Sequence, residues 1–426
     1  MTVFTIIWIC VVFWAFTKSN IKYMFSVTLL FMTFQCANVI SLGSFGVGPQ
    51  LMTSAVFVAK SLIHNKAKLY FHRYYYPVIV ALFLLIMSVI ISLTQNDALA
   101  DNILQFLQFL IYTLCFVAML LSGKSIEKEV LYQILRKLTI FLLIVGILQL
   151  LTTMGLLPIR PILKQLIYND NSSTVFFNRS NYRRIMSTFM EPSYFAGLLV
   201  GAFYYFLSLK DKWKENCILM AFILFEMILT MSSTAYGAFV IVGVIFILFQ
   251  DKVGIKFKIA IVCLAIVGFA IMYFGFYDVL DTVIFSKADT GSFRARTRYN
   301  DEAISAYLDS VWFGVGYKNV RGSSIIYSLL GETGRIGLIA YILFNLVLIS
   351  PILKIVPNKK YSKEHIGTVF AVLSVIVCQI IACPDLDLCT YWFWLYVLAV
   401  SQKESQMQSI SYGNTNYELT DGQYHE

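Results

Sequence analysis

Three arginines in five residues, Arg294-Ala-Arg-Thr-Arg298, repel one another unless an anion sits among them. A second pair, Arg183 and Arg184, precedes Met190-Glu-Pro-Ser193 by a few residues. Each guanidinium carries a planar fork of donors that matches phosphate or carboxylate in bidentate fashion. Glu191 stands directly before Pro192, and proline suits the first position of a helix. The free N–H groups of that helix end favour an anion, so a pyrophosphate could sit between it and Arg183/Arg184. Glu191 would then lie at the mouth, placed for proton transfer. It could equally interact with the helix dipole or pair with Arg184. Asp301 and Glu302 follow the arginine run as further carboxylates, and Arg321 lies beyond them. Glu332 and Arg335 are three apart, which favours an ion pair on one helix face.

Any single arginine could instead hold a loop through Asp170, Asp289, Asp301 or Asp309, or touch lipid headgroups. The clusters point further, to an anionic ligand. Cysteines fall mostly inside apolar runs, where they act as small hydrophobes. Cys383 and Cys389 flank Pro384-Asp-Leu-Asp-Leu388 and could form a disulfide if that face is oxidising. No CxxC or Cys/His cluster suggests a metal, and no cofactor is expected.

The elements that must position these residues are membrane helices. Apolar types make up 58% of the 426 residues, charged types only 13%, and mean hydropathy is +0.73. A soluble domain carries roughly a quarter charged residues, so a soluble enzyme and a disordered chain are both excluded. Thirteen apolar stretches read as spans, about 3–17, 22–42, 50–64, 77–94, 103–122, 138–157, 192–209, 217–231, 235–250, 259–276, 336–353, 366–383 and 389–402. The expected fold is an all-α polytopic membrane helix bundle of about 12–14 transmembrane helices. One transmembrane domain, 1–402, is expected, with a polar, disordered tail at 403–426. The stretch 325–353 would be roughly 43 Å long as one helix, more than the about 30 Å of a bilayer core. Gly331, Gly334 and Gly337 predict a break in it.

The formal charge of +9 divides by residue type. Short Lys-rich connectors such as KDKWKEN and KIVPNKKYSKEH all fall on one side of the count, which the positive-inside rule makes cytoplasmic. Nine of the eleven arginines fall on the other side, mostly in two large outer loops at about 158–191 and 277–335. Such long loops are usually functional. Nucleic acid is not an expected partner for arginines outside the membrane. Within spans, Glu226 is a functional candidate by default. Lys60 should snorkel, and Gln149, Asn345 and Gln379 should bond between helices.

The motifs Arg184 with Ser187-Thr-Phe-Met-Glu-Pro-Ser-Tyr-Phe-Ala196, the arginine run leading to Gly314-Val-Gly316, and Glu332-Thr-Gly-Arg-Ile-Gly-Leu338 together resemble the Wzy-type O-antigen polymerases. These form part of the O-antigen polymerase/ligase superfamily. The resemblance covers about 180–350. It implies a metal-independent glycosyltransferase of the bacterial inner membrane, with its site facing the periplasm. The substrate it implies is undecaprenyl-diphosphate-linked oligosaccharide, with undecaprenyl diphosphate as leaving group. The product would be O-antigen or a related surface polysaccharide. Membrane lipid, a chain-length regulator and a flippase are the further partners it brings. Glu191, Arg184 and Arg298 would be catalytic. Arg183, Arg294, Arg296, Arg321, Glu302, Glu332 and Arg335 would bind diphosphate or glycan. The ligase branch, which transfers chains to lipid A-core, is expected to use an outer-loop histidine. Here His64, His72, His365 and His425 all fall on the cytoplasmic side, which favours a polymerase. Neither Arg183 nor Arg184 has a glycine eleven residues on, a spacing found in some polymerases. A transporter or flippase of lipid-linked glycans is a third reading, though it should place charges along a central path.

Overall fold

The structure is a computed structural model that describes residues 3–35, 37–42, 45–64, 75–95, 99–121, 126–157, 177–179, 182–249, 291–353 and 361–401. The helices are α1 (Val3–Thr17), α2 (Ile21–Met32), α3 (Pro49–His64), α4 (Tyr76–Leu93), α5 (Leu99–Leu121), α6 (Lys128–Thr153), α7 (Pro192–Ser208), α8 (Trp213–Leu229) and α9 (Ser233–Leu248). They continue as α10 (Gly291–Asp309), α11 (Ile325–Leu353), α12 (Lys363–Ala382) and α13 (Cys389–Ser401). Two antiparallel hairpins interrupt them, β1 (Ile40–Leu42) with β2 (Phe45–Val47) and β3 (Phe177–Arg179) with β4 (Tyr182–Arg184). The protein is an all-α polytopic membrane helix bundle.

Among the described residues, five helices (α4, α5, α6, α11 and α12) are long and apolar enough to cross a membrane, or six if α7 and α8 form one bent span. Shorter apolar helices are α1, α2, α9 and α13. The expected second span, 22–42, is shorter than the sequence suggested: α2 stops at Met32 and the chain turns into the β1–β2 hairpin. The expected span 259–276, the inner part of each outer loop and the tail 403–426 lie outside the described residues. The described parts of the outer loops are ordered by helix or by burial. Residues 291–309 form α10, and 185–189 are buried in the bundle.

The centre of the bundle is the α12–α13 pair. From Tyr391 to Val400 every side chain is buried, and α12 packs on α7, α9 and α11. Trp392 meets Phe109, Tyr112 and Phe116 of α5 edge-on or tilted. Gln379 accepts a hydrogen bond from Tyr341, and Asn345 accepts one from Tyr391, so both residues join helices as expected. Large apolar side chains such as Phe13, Phe83, Ile218, Phe222 and Ile342 remain exposed on the outside. A soluble monomer rarely shows such a surface; here it is the face for acyl chains.

The two ends of the bundle differ. At one end Lys212 pairs with Glu129 and Lys363 donates to Asp211 at 2.7 Å, tying together the starts of α6 and α12 and the α7–α8 turn. The axes of α7 and α8 differ by 91° across that turn. Lys60 reaches the same end and donates to the Phe16 carbonyl at 2.6 Å. At the other end lie the start of α7, the end of α12, α10 and the start of α11. We refer to these as the lysine end and the arginine end.

Helix α11 breaks at Gly334, whose φ of 64° and ψ of −163° are reserved in practice for glycine. A break strands backbone groups that an apolar surrounding cannot satisfy. Residues 311–316 satisfy them. Val315 and Gly316 donate to the carbonyls of Gly331 and Glu332 at 2.9 and 3.0 Å. In return Arg335 and Ile336 donate to Val311 and Trp312 at 3.0 and 3.3 Å. The approach is so close that a Cβ on Gly314 or Gly334 would meet backbone at 2.4 Å.

Candidate functional site

Glu191 is the N-cap residue of α7, in extended backbone conformation, and its carboxylate accepts a hydrogen bond from Ser193 at 2.9 Å. The segment leading to it is held inside the bundle. Gln149 of α6 accepts from the main-chain N–H groups of Met186 and Ser187 and donates to the Ser187 carbonyl at 2.7 Å. The Ser187 hydroxyl donates to Leu142, and Thr188 donates to Thr33 at the end of α2. Ser187 itself has φ of 51°, a strained value that these bonds sustain.

One turn into α7, Tyr194 donates to Asp385 Oδ2 at 3.3 Å. Asp385 lies in the short link between α12 and α13, and it gathers more than the tyrosine. Lys318 Nζ bonds Asp385 Oδ1 and Asp387 Oδ1, each at 2.8 Å. Arg321 donates to Asp385 Oδ2 at 3.2 Å. Gln108 of α5 donates to Asp387 Oδ2 at 3.0 Å, and Gln379 of α12 donates to the Asp385 carbonyl at 3.0 Å. Lys318 adopts a left-handed φ of 62°, which turns its ammonium inward between the two carboxylates. Its main-chain N–H serves the buried carboxyl of Glu332.

The electrostatics follow from burial and pairing. Burial alone would raise the Asp385 carboxyl, but Lys318 and Arg321 outweigh it and hold that carboxyl below the usual carboxylate range. Burial likewise disfavours the Lys318 ammonium, yet Asp387 and Asp385 hold it charged well above its ordinary value. Arg321 feels Asp385, Tyr194 and Glu191 in turn. Burial, and then the charges of Cys378, Glu191 and Asp385, push the Cys383 thiol well up, while the Arg296 charge pulls it the other way. Cys383 and Cys389 are both free thiols, so the link they flank carries no disulfide between them.

The expected site residues therefore divide. Arg321 bonds the Asp385 link directly, and Glu191 stands beside it through Tyr194, one turn on in α7, while Arg296 reaches it only through its charge. Arg294, Arg296 and Arg298 are exposed on α10, and Arg298 lies 3.4 Å from Glu302 as a surface pair. Arg184 stands apart: its Nε donates to the Thr230 carbonyl at 2.6 Å, where a cation complements the C-terminus of α8. Arg183 lies in β4 opposite Asn178, and its side chain lies outside the described residues. Glu332 and Arg335 do not form the expected pair. The break at Gly334 falls between them and ends the helical spacing. Glu332 turns inward to Lys318, while Arg335 donates to Tyr307 at 2.7 Å and stacks over Tyr307 and Trp312. Among the described residues, no group of three or more His, Cys, Asp or Glu side chains is placed to hold a metal ion.

Lys318, Asp385 and Asp387 form the ion cluster here and no local motif marks them, while Tyr194, inside the 187–196 motif, was not singled out. Asp385 and Lys318 are 67 residues apart in the chain. The usable signal was the pair of aspartates in an otherwise apolar region, which needed a cation.

A multispan helical protein with a cationic site at one end defines the class. Residues 217–336 match a protein-family model described as O-antigen ligase, and this supports the O-antigen polymerase/ligase superfamily of glycosyltransferase-like membrane enzymes. The match includes α8, α9, α10 and the clasped break of α11; Glu191 and the Asp385 link lie outside it. A search of curated proteins finds no match.

Proposed function

We propose that the protein polymerises undecaprenyl-diphosphate-linked oligosaccharide repeats at the arginine end, facing the periplasm from the inner membrane. The observation that carries this reading is that Arg321 and Tyr194, the latter three residues from Glu191 on α7, donate to the same Asp385 carboxylate at that end. In the proposed reaction Glu191 takes the proton from an acceptor sugar hydroxyl. The hydroxyl oxygen bonds to the anomeric carbon of the donor chain, and the bond from that carbon to the diphosphate breaks. The departing electron pair stays on the diphosphate oxygen of undecaprenyl diphosphate, and Arg321, Arg296 and the neighbouring Arg294 and Arg298 stabilise the negative charge it carries. Arg184 then acts through the Thr230 turn, and Arg335 shapes the flank.

The matched family description favours a second reading, a ligase. Against it stands the position of the histidines. His365 is buried at the lysine end, bonded to Ser401, and His64 ends α3 on the same side. His72 and His425 are the other two in the chain, so the large outer loops contain none. Deletion of the gene separates the readings. Loss of a polymerase leaves a single repeat on the lipid A-core, and loss of a ligase leaves none. Conversion of lipid-linked repeats to longer chains by purified, reconstituted protein would exclude a flippase.

A further inference from the structure

Arg321 has no rigid helix to hold it. It lies in the 310–324 connection between α10 and α11, and its guanidinium is largely exposed. What fixes it is a carboxylate from a distant part of the chain. Asp385 Oδ2 accepts from Arg321 and from Tyr194, and its Oδ1 accepts from Lys318. Tyr194 is three residues from Glu191 on the first turn of α7. One carboxylate thus joins the base side of the site to its cation side. The Asp385 main chain is fixed independently by Gln379. Asp387 shares Lys318 and Gln108, and none of its observed hydrogen bonds or ion pairs is to Arg321 or Tyr194. The two aspartates therefore differ in what they hold, although both carry the same lysine.

We propose that Asp385 is a positioning residue that sets the span between the Arg321 guanidinium and the Glu191 carboxylate by holding Arg321, with Tyr194 tying the aspartate to the first turn of α7. It need not touch the substrate. Asp387 is the anchor for Lys318 and leaves that span alone. The inference rests on the polymerase reading for its kinetic consequences and on geometry alone for the distance.

The test has two arms. In reconstituted protein with lipid-linked repeats, Arg321→Ala lowers kcat by about 100-fold and Asp385→Asn by about 10-fold or more, with smaller changes in KM. The double variant is no worse than Arg321→Ala alone, because the aspartate works through the arginine. Guanidinium salts restore Arg321→Ala by about 10-fold while Asp385 is present to seat the ion, and give nothing in the double variant. Asp385→Glu recovers part of the Asp385→Asn loss. Asp387→Asn weakens the fold yet keeps kcat within about threefold. Losses that multiply in the double variant, or guanidinium rescue without Asp385, overturn the proposal.

The second arm uses no substrate. Spin labels at Met190→Cys and Asn319→Cys, with the exposed Cys10 and Cys217 replaced, report the distance across the site. It is narrow in the parent and broad in Asp385→Asn. An unchanged distribution overturns the proposal whatever the activity. If the parent elongates no lipid-linked repeat, the polymerase reading fails and the distance arm alone decides this one.

Discussion

A lysine ammonium seated between two carboxylates is hard to replace. Lys318→Met leaves Asp385 and Asp387 facing each other with half their compensation gone, and removal of one partner of a buried pair costs roughly 3–5 kcal/mol. Thermal unfolding in detergent should show that loss, while Lys318→Arg should recover part of it. The pH dependence has a definite sign. The Asp385 carboxyl is held below its unfolded value, so its stabilisation is present at neutral pH and is lost as pH falls through the folded value. Lys318 is shifted up, so its contribution is lost only in strong alkali. The melting temperature should therefore drop below about pH 4 and Asp385→Asn should flatten that drop. At the site, Glu191→Gln keeps the bond from Ser193 within reach and removes the proposed base. Polymer length in complemented cells should collapse while the amount of membrane-inserted protein is unchanged. Polymer of normal length from this variant would remove Glu191 from the mechanism. Glu191 was legible from the Pro192 that follows it. Lys318 was legible only as a cation on the outer side, because its partners come from a segment noted for its cysteines.

At the scale of elements, the break in α11 was legible and its clasp was not. Three glycines and an excess length predicted a break; nothing local showed that 311–316 would supply the missing hydrogen bonds. The clasp explains why Gly334 tolerates no side chain. Gly334→Ala forces a strained backbone, costing of order 1–3 kcal/mol, and drives a Cβ into the Trp312 carbonyl at 2.4 Å. Gly155 has a similar φ of 75° with open space around it. Gly155→Ala carries only the cost of a positive φ in open space, and the larger fall in melting temperature with Gly334→Ala reports its Gly-only φ/ψ pair and the clasp together. Equal falls would mean that the clasp yields freely. The same break separates Glu332 from Arg335. Spacing predicts a pair only while a helix continues.

For the whole molecule, the sorting of lysine from arginine was visible in the sequence because it depends only on which connectors carry which cation. The structure adds that the lysine end is cross-braced, by Lys212 to Glu129 and Lys363 to Asp211. If the lysine end faces the cytoplasm, a membrane-impermeant maleimide should label Met190→Cys in spheroplasts and leave Lys214→Cys unlabelled until the membrane is opened. Labelling in the reverse order would invert the molecule and remove the periplasmic site. Span number was less legible, because apolar stretches such as 33–42 read as helix although the chain there leaves the helix for a hairpin.

The burial of residues 185–189 has a consequence for how the molecule handles substrates of different bulk. A run of chain pinned by Gln149, Leu142 and Thr33 moves only when α2 and α6 move with it. Glu191, a few residues beyond the last pin, is a stationary post. On the proposed reading, room for a larger glycan comes from the side of α10, where Arg294, Arg296 and Arg298 stand exposed on a helix that packs on α11.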